Sequence, residues 1–178
     1  MRPYEPGDAA ELLTAVAETR SELEERLRSY HDFHTTEDAR RLIARSRGRW
    51  ILREAFVGGI FEDTGDAYCG GVGLHPVDWD HGRFEVGYWL RLAARGRGYA
   101  TEAVRLVSRL AFGCLGAERV EIFVEPENVP SCQVAERAGF VLEGRLRRYL
   151  PASDGTLRDV NAYSVVREDW DRLDGGAR

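Results

Sequence analysis

The sequence predicts a mixed α/β (α+β) domain with a mostly antiparallel sheet and helices on both faces. Three observations lead there. The first third carries helical periodicity, with apolar residues three and four apart. Three strand-like segments joined by short turn signals follow. Helical and strand segments then alternate to the C terminus. The 178 residues suffice for one domain, 1–178, with a real core and few spare elements. No repeat, low-complexity tract or linker divides them.

Asp8 is placed to cap a helix over Ala9–Glu18, with Leu12, Leu13 and Val16 on one face. Ser21–Tyr30 is expected to continue or restart it, and Thr35 or Thr36 to cap a third helix through Ala44. Trp50–Phe61 reads as a strand, Asp63–Asp66 as a turn, Tyr68–His75 as a second strand and Asp80–Gly82 as a second turn. Phe84–Leu90 is the third strand. Alternation puts Phe84, Val86, Tyr88 and Leu90 on one face, and Glu85, Gly87 and Trp89 on the other. A long helix begins near Gly98 and runs to about Phe112, ended by Gly113 or Gly116. A strand at Val120–Val124, a short helix at Ser131–Ala138 closed by Gly139, a strand opening at Phe140–Glu143, a turn at Asp154-Gly155 and a last strand at Val160–Val166 complete the order.

Composition narrows the function classes. Hydrophobic residues make up 43% and charged residues 31%, an ordinary globular balance. No apolar run approaches the roughly 20 residues of a membrane helix, and the N terminus lacks the apolar stretch of a signal peptide. The expected location is the cytoplasm, with no membrane partner. Cys69, Cys114 and Cys132 form no CxxC pair and the four histidines no HExxH pattern, so no metal is expected. A net charge of −5 makes nucleic acid an unexpected partner. Yet Arg91, Arg95, Arg97, Arg105 and Arg109 cluster, which suggests a small anionic ligand held at one place. Arg105 and Arg109, one helical turn apart, read as a solvated helix face.

Two segments carry chemistry. In Arg95-Gly96-Arg97-Gly98-Tyr99-Ala100, glycines let the backbone turn its amides inward beside a helix N terminus. That terminus has unpaired N–H groups and partial positive charge. This makes a cradle suited to a pyrophosphate. Its alternative is a glycine-rich turn that binds nothing. Neither GxxxxGK[ST] nor a parallel βαβ unit with GxGxxG is present, which argues against a nucleotide triphosphatase or a dehydrogenase. The second segment runs from Asn128 to Phe140. Read alone it is good local structure, with Asn128 or Ser131 as a helix cap and Gly139 as the stop.

Together the two segments resemble the GCN5-related N-acetyltransferase (GNAT) superfamily. Arg95, Gly98 and Ala100 match its acetyl-CoA signature (Gln/Arg)-x-x-Gly-x-(Gly/Ala). Asn128, Ser131, Glu136, Arg137, Gly139 and Phe140 match its second signature. Phe84–Leu90, Gly98–Ala103 and Arg158–Ser164 are similar to the RimJ/RimL branch, whose members acetylate N-termini of ribosomal proteins or small amines. The resemblance implies an acetyl-CoA-dependent N-acetyltransferase, with acetyl-CoA in an opening between splayed strands Phe84–Leu90 and Val120–Val124. It assigns the pyrophosphate to the segment Gly96, Arg97, Gly98, Tyr99, Ala100 and Thr101, flanked by Arg95. Backbone near Leu90 and Leu92 would take the pantetheine arm, with Asn128 below and Arg137 toward a CoA phosphate. The acceptor would be a primary amine, either a protein N-terminus or a small molecule. Dimers are common in the family, so a homodimer is within the expectation.

The family's helix tyrosine is replaced here by Ala135. Ser131 then stands as the acid, or as a plain helix cap. Glu85 is the first candidate base and His75 the second. Some RimL-type enzymes place a glutamate where Leu150 stands, beside Tyr149, and that departure weighs against a ribosomal-protein acceptor. The alternatives are transfer from another acyl-CoA, or a CoA-binding module without turnover.

Overall fold

The structure is a computed structural model that describes residues 1–26, 30, 33–63, 67–152 and 155–175. Its elements are β1 (Arg2–Pro3), α1 (Ala9–Glu18), α2 (Arg20–Arg26), α3 (Thr36–Ile51), β2 (Phe56–Phe61), β3 (Tyr68–Asp78) and β4 (Arg83–Leu90). They continue with α4 (Tyr99–Cys114), β5 (Arg119–Val124), α5 (Val129–Arg137), β6 (Val141–Pro151), β7 (Leu157–Val166) and α6 (Arg167–Gly175). One seven-stranded sheet runs in the order β1-β2-β3-β4-β5-β7-β6. Among the described residues β4 and β5 form its one parallel contact, and the other neighbours are antiparallel.

Strand alternation divides the core between the two faces. Phe84 and Val86 of β4, and Val120 and Ile122 of β5, pack under the apolar stripe of α4 (Ala103, Val104, Val107, Ala111) and Ala135 of α5. Each fully buried Val or Leu contributes about 1.5–3 kcal/mol relative to exposure. On the opposite face Trp89 packs with Leu12 and Val16 of α1, Ile43 of α3, and Tyr4, Tyr30 and Tyr68. The tyrosines keep their hydroxyls satisfied. Tyr4 and Tyr68 share a 3.0 Å hydrogen bond, and Trp89 Nε1 donates to the Tyr30 hydroxyl at 3.0 Å.

Several boundaries differ from the sequence reading. Trp50 belongs to α3, not to a strand. The helix runs on to Ile51 and Trp50 Nε1 folds back to the Val57 carbonyl (2.6 Å), so the strand begins at Phe56. Asp8 does not cap α1. Its carboxylate accepts from the Glu5 amide (2.7 Å) and from Arg2, closing the 3-10 turn that precedes the helix. Thr35 does cap α3, reciprocally with Asp38. The expected helix Ser21–Tyr30 is seen to Arg26, and residues 27–29 lie outside the described residues. So do parts of the turns at 64–66 and 153–154. Two elements had no sequence counterpart. β1 extends the sheet through Gly58 and Gly59. α6 lays Trp170 on Phe112, ring centroids 5.2 Å apart.

Candidate functional site

β4 and β5 pair over three rungs only: Arg83 with Arg119, Phe84 with Val120, Glu85 with Glu121. Beyond Glu85, β4 continues to Leu90 along β3, and β5 continues to Val124 along β7. The two strands therefore part, and their facing edges lack a ladder partner past the Glu85–Glu121 rung.

On the α4 face of this opening lies the glycine segment. Gly96 and Gly98 have φ +73° and +85°, the left-handed region, and a Cβ on either would meet open space. Only glycine takes that backbone without strain. Gly98 is the N-cap of α4 and brings no capping side chain. Among the described residues no group accepts from the amides of Gly96 to Thr101, whereas the Glu102 amide returns to the Gly98 carbonyl at 3.1 Å. These are the orphan donors of a helix start, gathered around space that a β-carbon would fill. A run of free amides at the positive end of a helix fits a pyrophosphate.

The arginines divide into two groups. Arg95 is bidentate to Glu22 (3.0 and 2.9 Å) and also donates to the Leu90 carbonyl. Arg97 pairs with Glu62 (2.5 Å) and lies over the Tyr99 ring, and the Tyr99 hydroxyl donates to the same carboxylate (3.1 Å). Arg91 is bidentate to Glu18. The charge of these three is balanced by α1, α2 and Glu62, so what the cradle offers is the amides of Gly96 to Thr101. Arg105 and Arg137 instead have no carboxylate partner among the described residues. The Arg105 guanidinium donates to the Arg137 carbonyl, and both line a cleft of about 590 Å³ with Gly98, Thr101 and Glu102. Arg105 thus stands in the cleft at the mouth of the cradle. Leu92 is exposed on the 3-10 turn Leu92–Ala94.

α5 begins on the same face. Asn128 Oδ1 accepts from the Ser131 amide at 3.3 Å, which makes Asn128 the cap and leaves its Nδ2 side available. Ser131 is half-buried and its carbonyl accepts from the Tyr88 hydroxyl (3.1 Å). Burial pushes the Tyr88 phenol up to about 12. The Tyr88 hydroxyl proton is engaged at the start of α5, whereas no group among the described residues accepts from the Ser131 hydroxyl. Ala135 is fully buried, so the helix offers no phenol there.

The opposite face is ionisable at the same rungs. His75, Glu85, Glu121 and Ser164 are successive cross-strand neighbours on β3, β4, β5 and β7. Glu121 is 5% exposed and held by Arg83 (3.1 Å) and Arg119 (2.7 Å). Arg119 bridges on to Glu143 (2.8 Å), which also accepts from Ser164 Oγ (2.7 Å). Glu85 has no such partner among the described residues. Burial first, and the Glu121 charge second, raise its carboxyl above the usual carboxylate range. Burial and then Arg49 lower the His75 imidazole, which keeps it neutral near pH 7. Beside Glu85, Gly87 faces open space on this side.

Sequence reasoning missed Glu121, Tyr88 and Arg105. The signal for Glu121 was present: a single carboxylate between apolar residues in Val120-Glu121-Ile122.

The family described as acetyltransferase (GNAT) domain matches residues 1–141. This chain belongs to the GNAT acetyltransferases. The enzyme is 34% identical to the Probable N-acetyltransferase YjcK of Bacillus subtilis (strain 168) over 173 residues, 95% of this chain and 94% of that protein. It is 37% identical to the Uncharacterized N-acetyltransferase p20 of Bacillus licheniformis over 111 residues, 62% of this chain and 61% of that one. Mycobacterium smegmatis RimJ, solved in complex with CoA-disulfide, superposes with a TM-score of 0.84 at 26% identity, covering 99% of this chain and 88% of its own.

Proposed function

We propose that residues 1–178 act as one cytoplasmic N-acetyltransferase domain that passes acetyl from acetyl-CoA directly to a primary amine, either a protein N-terminus or a small molecule. The observation that carries this is the parting of β4 and β5. At one opening the protein has an amide cradle on the α4 face and a raised carboxyl on the other. Cofactor and acceptor then enter from opposite faces and meet between the strands.

The amides of Gly96 to Thr101 hold the pyrophosphate, Arg105 and Arg137 an outer phosphate, and the Asn128 side chain the pantetheine arm. The free edge of β4 near Leu90 pairs with that arm as an added strand does. Acetyl-CoA supplies the acetyl group as a thioester. Glu85 takes the proton of the incoming ammonium. A base whose pKa has been lifted toward neutrality is better matched to that task than an ordinary carboxylate. Backbone N–H of β4 steadies the developing oxyanion. Ser131 returns a proton to the departing sulfur, directly or through water, and a thiolate leaves readily enough for a weak acid to serve.

Calorimetric titration with acetyl-CoA, followed by thiol release on a panel of amines, tests the reading. Micromolar binding with amine-dependent thiol release supports it. Binding without release from any amine would leave a CoA-binding module and remove the transfer step.

A further inference from the structure

β6 is the edge of the sheet and is exposed along nearly its whole length. Its register against β7 breaks between Leu146 and Leu150. Arg148 there has φ +52°, a left-handed backbone that glycine takes freely and a long side chain does not. The bulge is held from β7. Asp159 accepts from the Arg148 amide (2.8 Å) and from Arg145 Nε (3.0 Å). Bulges of this kind re-aim side chains. This one turns Tyr149 onto Phe123, ring centroids 5.0 Å apart. Phe123 lies two residues past Glu121 on β5, on the Glu85 face and beyond the last β4–β5 rung.

A cleft of about 700 Å³ lies at the bulge, lined by Arg145, Leu146, Arg147, Arg148, Tyr149 and Asp159. The one carboxylate in that lining among the described residues, Asp159, is engaged by Arg145 and the Arg148 amide. Neither Arg147 nor Arg148 meets a carboxylate at ion-pair distance among the described residues, in a protein of net charge −5. Two exposed guanidiniums beside an aromatic pair, neither in an ion pair among the described residues and Arg147 acting on Asp159 only at longer range, form a receptor for a negative group at the acceptor side of the opening.

We infer that the cleft at the β6 bulge receives an anionic end of the acceptor, so that the preferred substrates are primary amines that also carry a carboxylate or a phosphate. The inference rests on the reading that the acceptor enters on the Glu85 face.

The test compares matched amines that differ in the charge of their far end: C-terminally amidated glycyl-glutamyl-glutamate against C-terminally amidated glycyl-arginyl-arginine, and O-phosphoethanolamine against ethanolamine. Each is measured as kcat/KM by thiol release and, independently of turnover, by calorimetric binding to the CoA-loaded protein. The variant is Arg147→Gln with Arg148→Gly. It removes both guanidiniums, suits the positive φ and keeps the amide bonded to Asp159. The thermal midpoint and acetyl-CoA affinity report its folding. The wild type is expected to prefer the anionic member of at least one pair by about tenfold or more, with the preference shrinking in high salt and collapsing toward unity in the variant. The peptide and phosphate arms tell a carboxylate source from a phosphate source. Equal use of both members, preference for the cationic one, or a preference that survives in the variant overturns the inference. Arginine-dependent binding of an anionic amine without any turnover would uphold it while removing the transfer reading. Failure of every amine to bind or react would overturn it.

Discussion

The two faces of the sheet treat the same three rungs differently. Under α4 and α5 the side chains at the β4–β5 contact are Phe84 and Val120, continued by Val86 and Ile122, all buried and apolar. On the α1–α3 face the same contact carries Glu85 and Glu121, continued by Gly87 and Phe123. The first face leaves its polar work to backbone, the amides of Gly96 to Thr101. The second carries it on ionisable side chains, Glu85 and Glu121. A face that binds through amides is robust to side-chain exchange and fragile to loss of glycine. A face that works through carboxyls is the reverse.

The largest effect should come from breaking the amide face at its glycine. Gly98→Glu forces a side chain into the left-handed region at about 1–2 kcal/mol. It also puts bulk and negative charge into the proposed pyrophosphate cradle. Acetyl-CoA affinity should fall by about 100-fold or more, equivalent to about 2.7 kcal/mol, while circular dichroism stays that of the wild type. Undiminished affinity would remove the pyrophosphate from this loop.

The carboxyl face should respond in rate and leave cofactor affinity alone. Glu85→Gln is expected to lower kcat/KM by about 100-fold, the low end for a general base, with acetyl-CoA affinity within about twofold of the wild type. The wild-type pH profile should lose activity as pH falls through the raised Glu85 pKa, since the protonated acid cannot accept a proton. Glu121→Gln removes a charge that raises that pKa, so the acid limb should move to lower pH. An unmoved limb would take the base role away from Glu85.

How much of this contrast was legible in the sequence follows from what each face uses. The cradle was legible because positive φ and close backbone approach demand glycine, and glycine shows in the letters at Gly96 and Gly98. Asn128 as cap and Gly139 as stop were legible for the same local reason. Glu85 was placed on the correct face by period-two alternation alone. The pairing of the arginines was not legible. Arg95 meets Glu22 across 73 residues, and no local rule links them, so a cluster that read as free positive charge is mostly neutralised. Arg105, read as a solvated helix face, reaches the cleft because α5 packs beside α4. The start of β2 was misplaced because Trp50, an apolar residue at a strand-like boundary, belongs to the last turn of α3, where its ring packs edge-on against Phe56.

A smaller effect separates the two groups of arginines. Arg105→Ala should weaken acetyl-CoA binding by about fivefold, near 1 kcal/mol, the scale of a partly exposed ion pair, and more at low salt than at high. Arg97→Ala, whose partner Glu62 already balances it, should change affinity less. Calorimetry of the two variants at two salt concentrations distinguishes them. Equal losses would mean that Glu62 releases Arg97 when the phosphate arrives.

The smallest effect tests whether the ion-pair row on the carboxyl face is structural beyond Glu121. Arg119 and the Ser164 hydroxyl hold the Glu143 carboxyl down at about 2. A depressed carboxyl contributes stability that is present above its unfolded pKa, near 4.3, and is lost as pH falls toward the folded value. The Glu143 side chain is 44% exposed, so solvent screening limits its share to less than about 1 kcal/mol. Glu143→Gln should therefore lower the urea midpoint slightly at pH 7 and narrow the gap between the midpoints at pH 7 and pH 3. The Glu85 carboxyl has the opposite sign. With its folded pKa raised, it favours the folded state at low pH and loses that advantage as pH rises, so Glu85→Gln should leave the protein as stable or more stable at pH 7. A row built for stability would make both substitutions destabilising there. A row in which Glu143 is paired and Glu85 is kept unpaired for proton transfer makes them differ in sign.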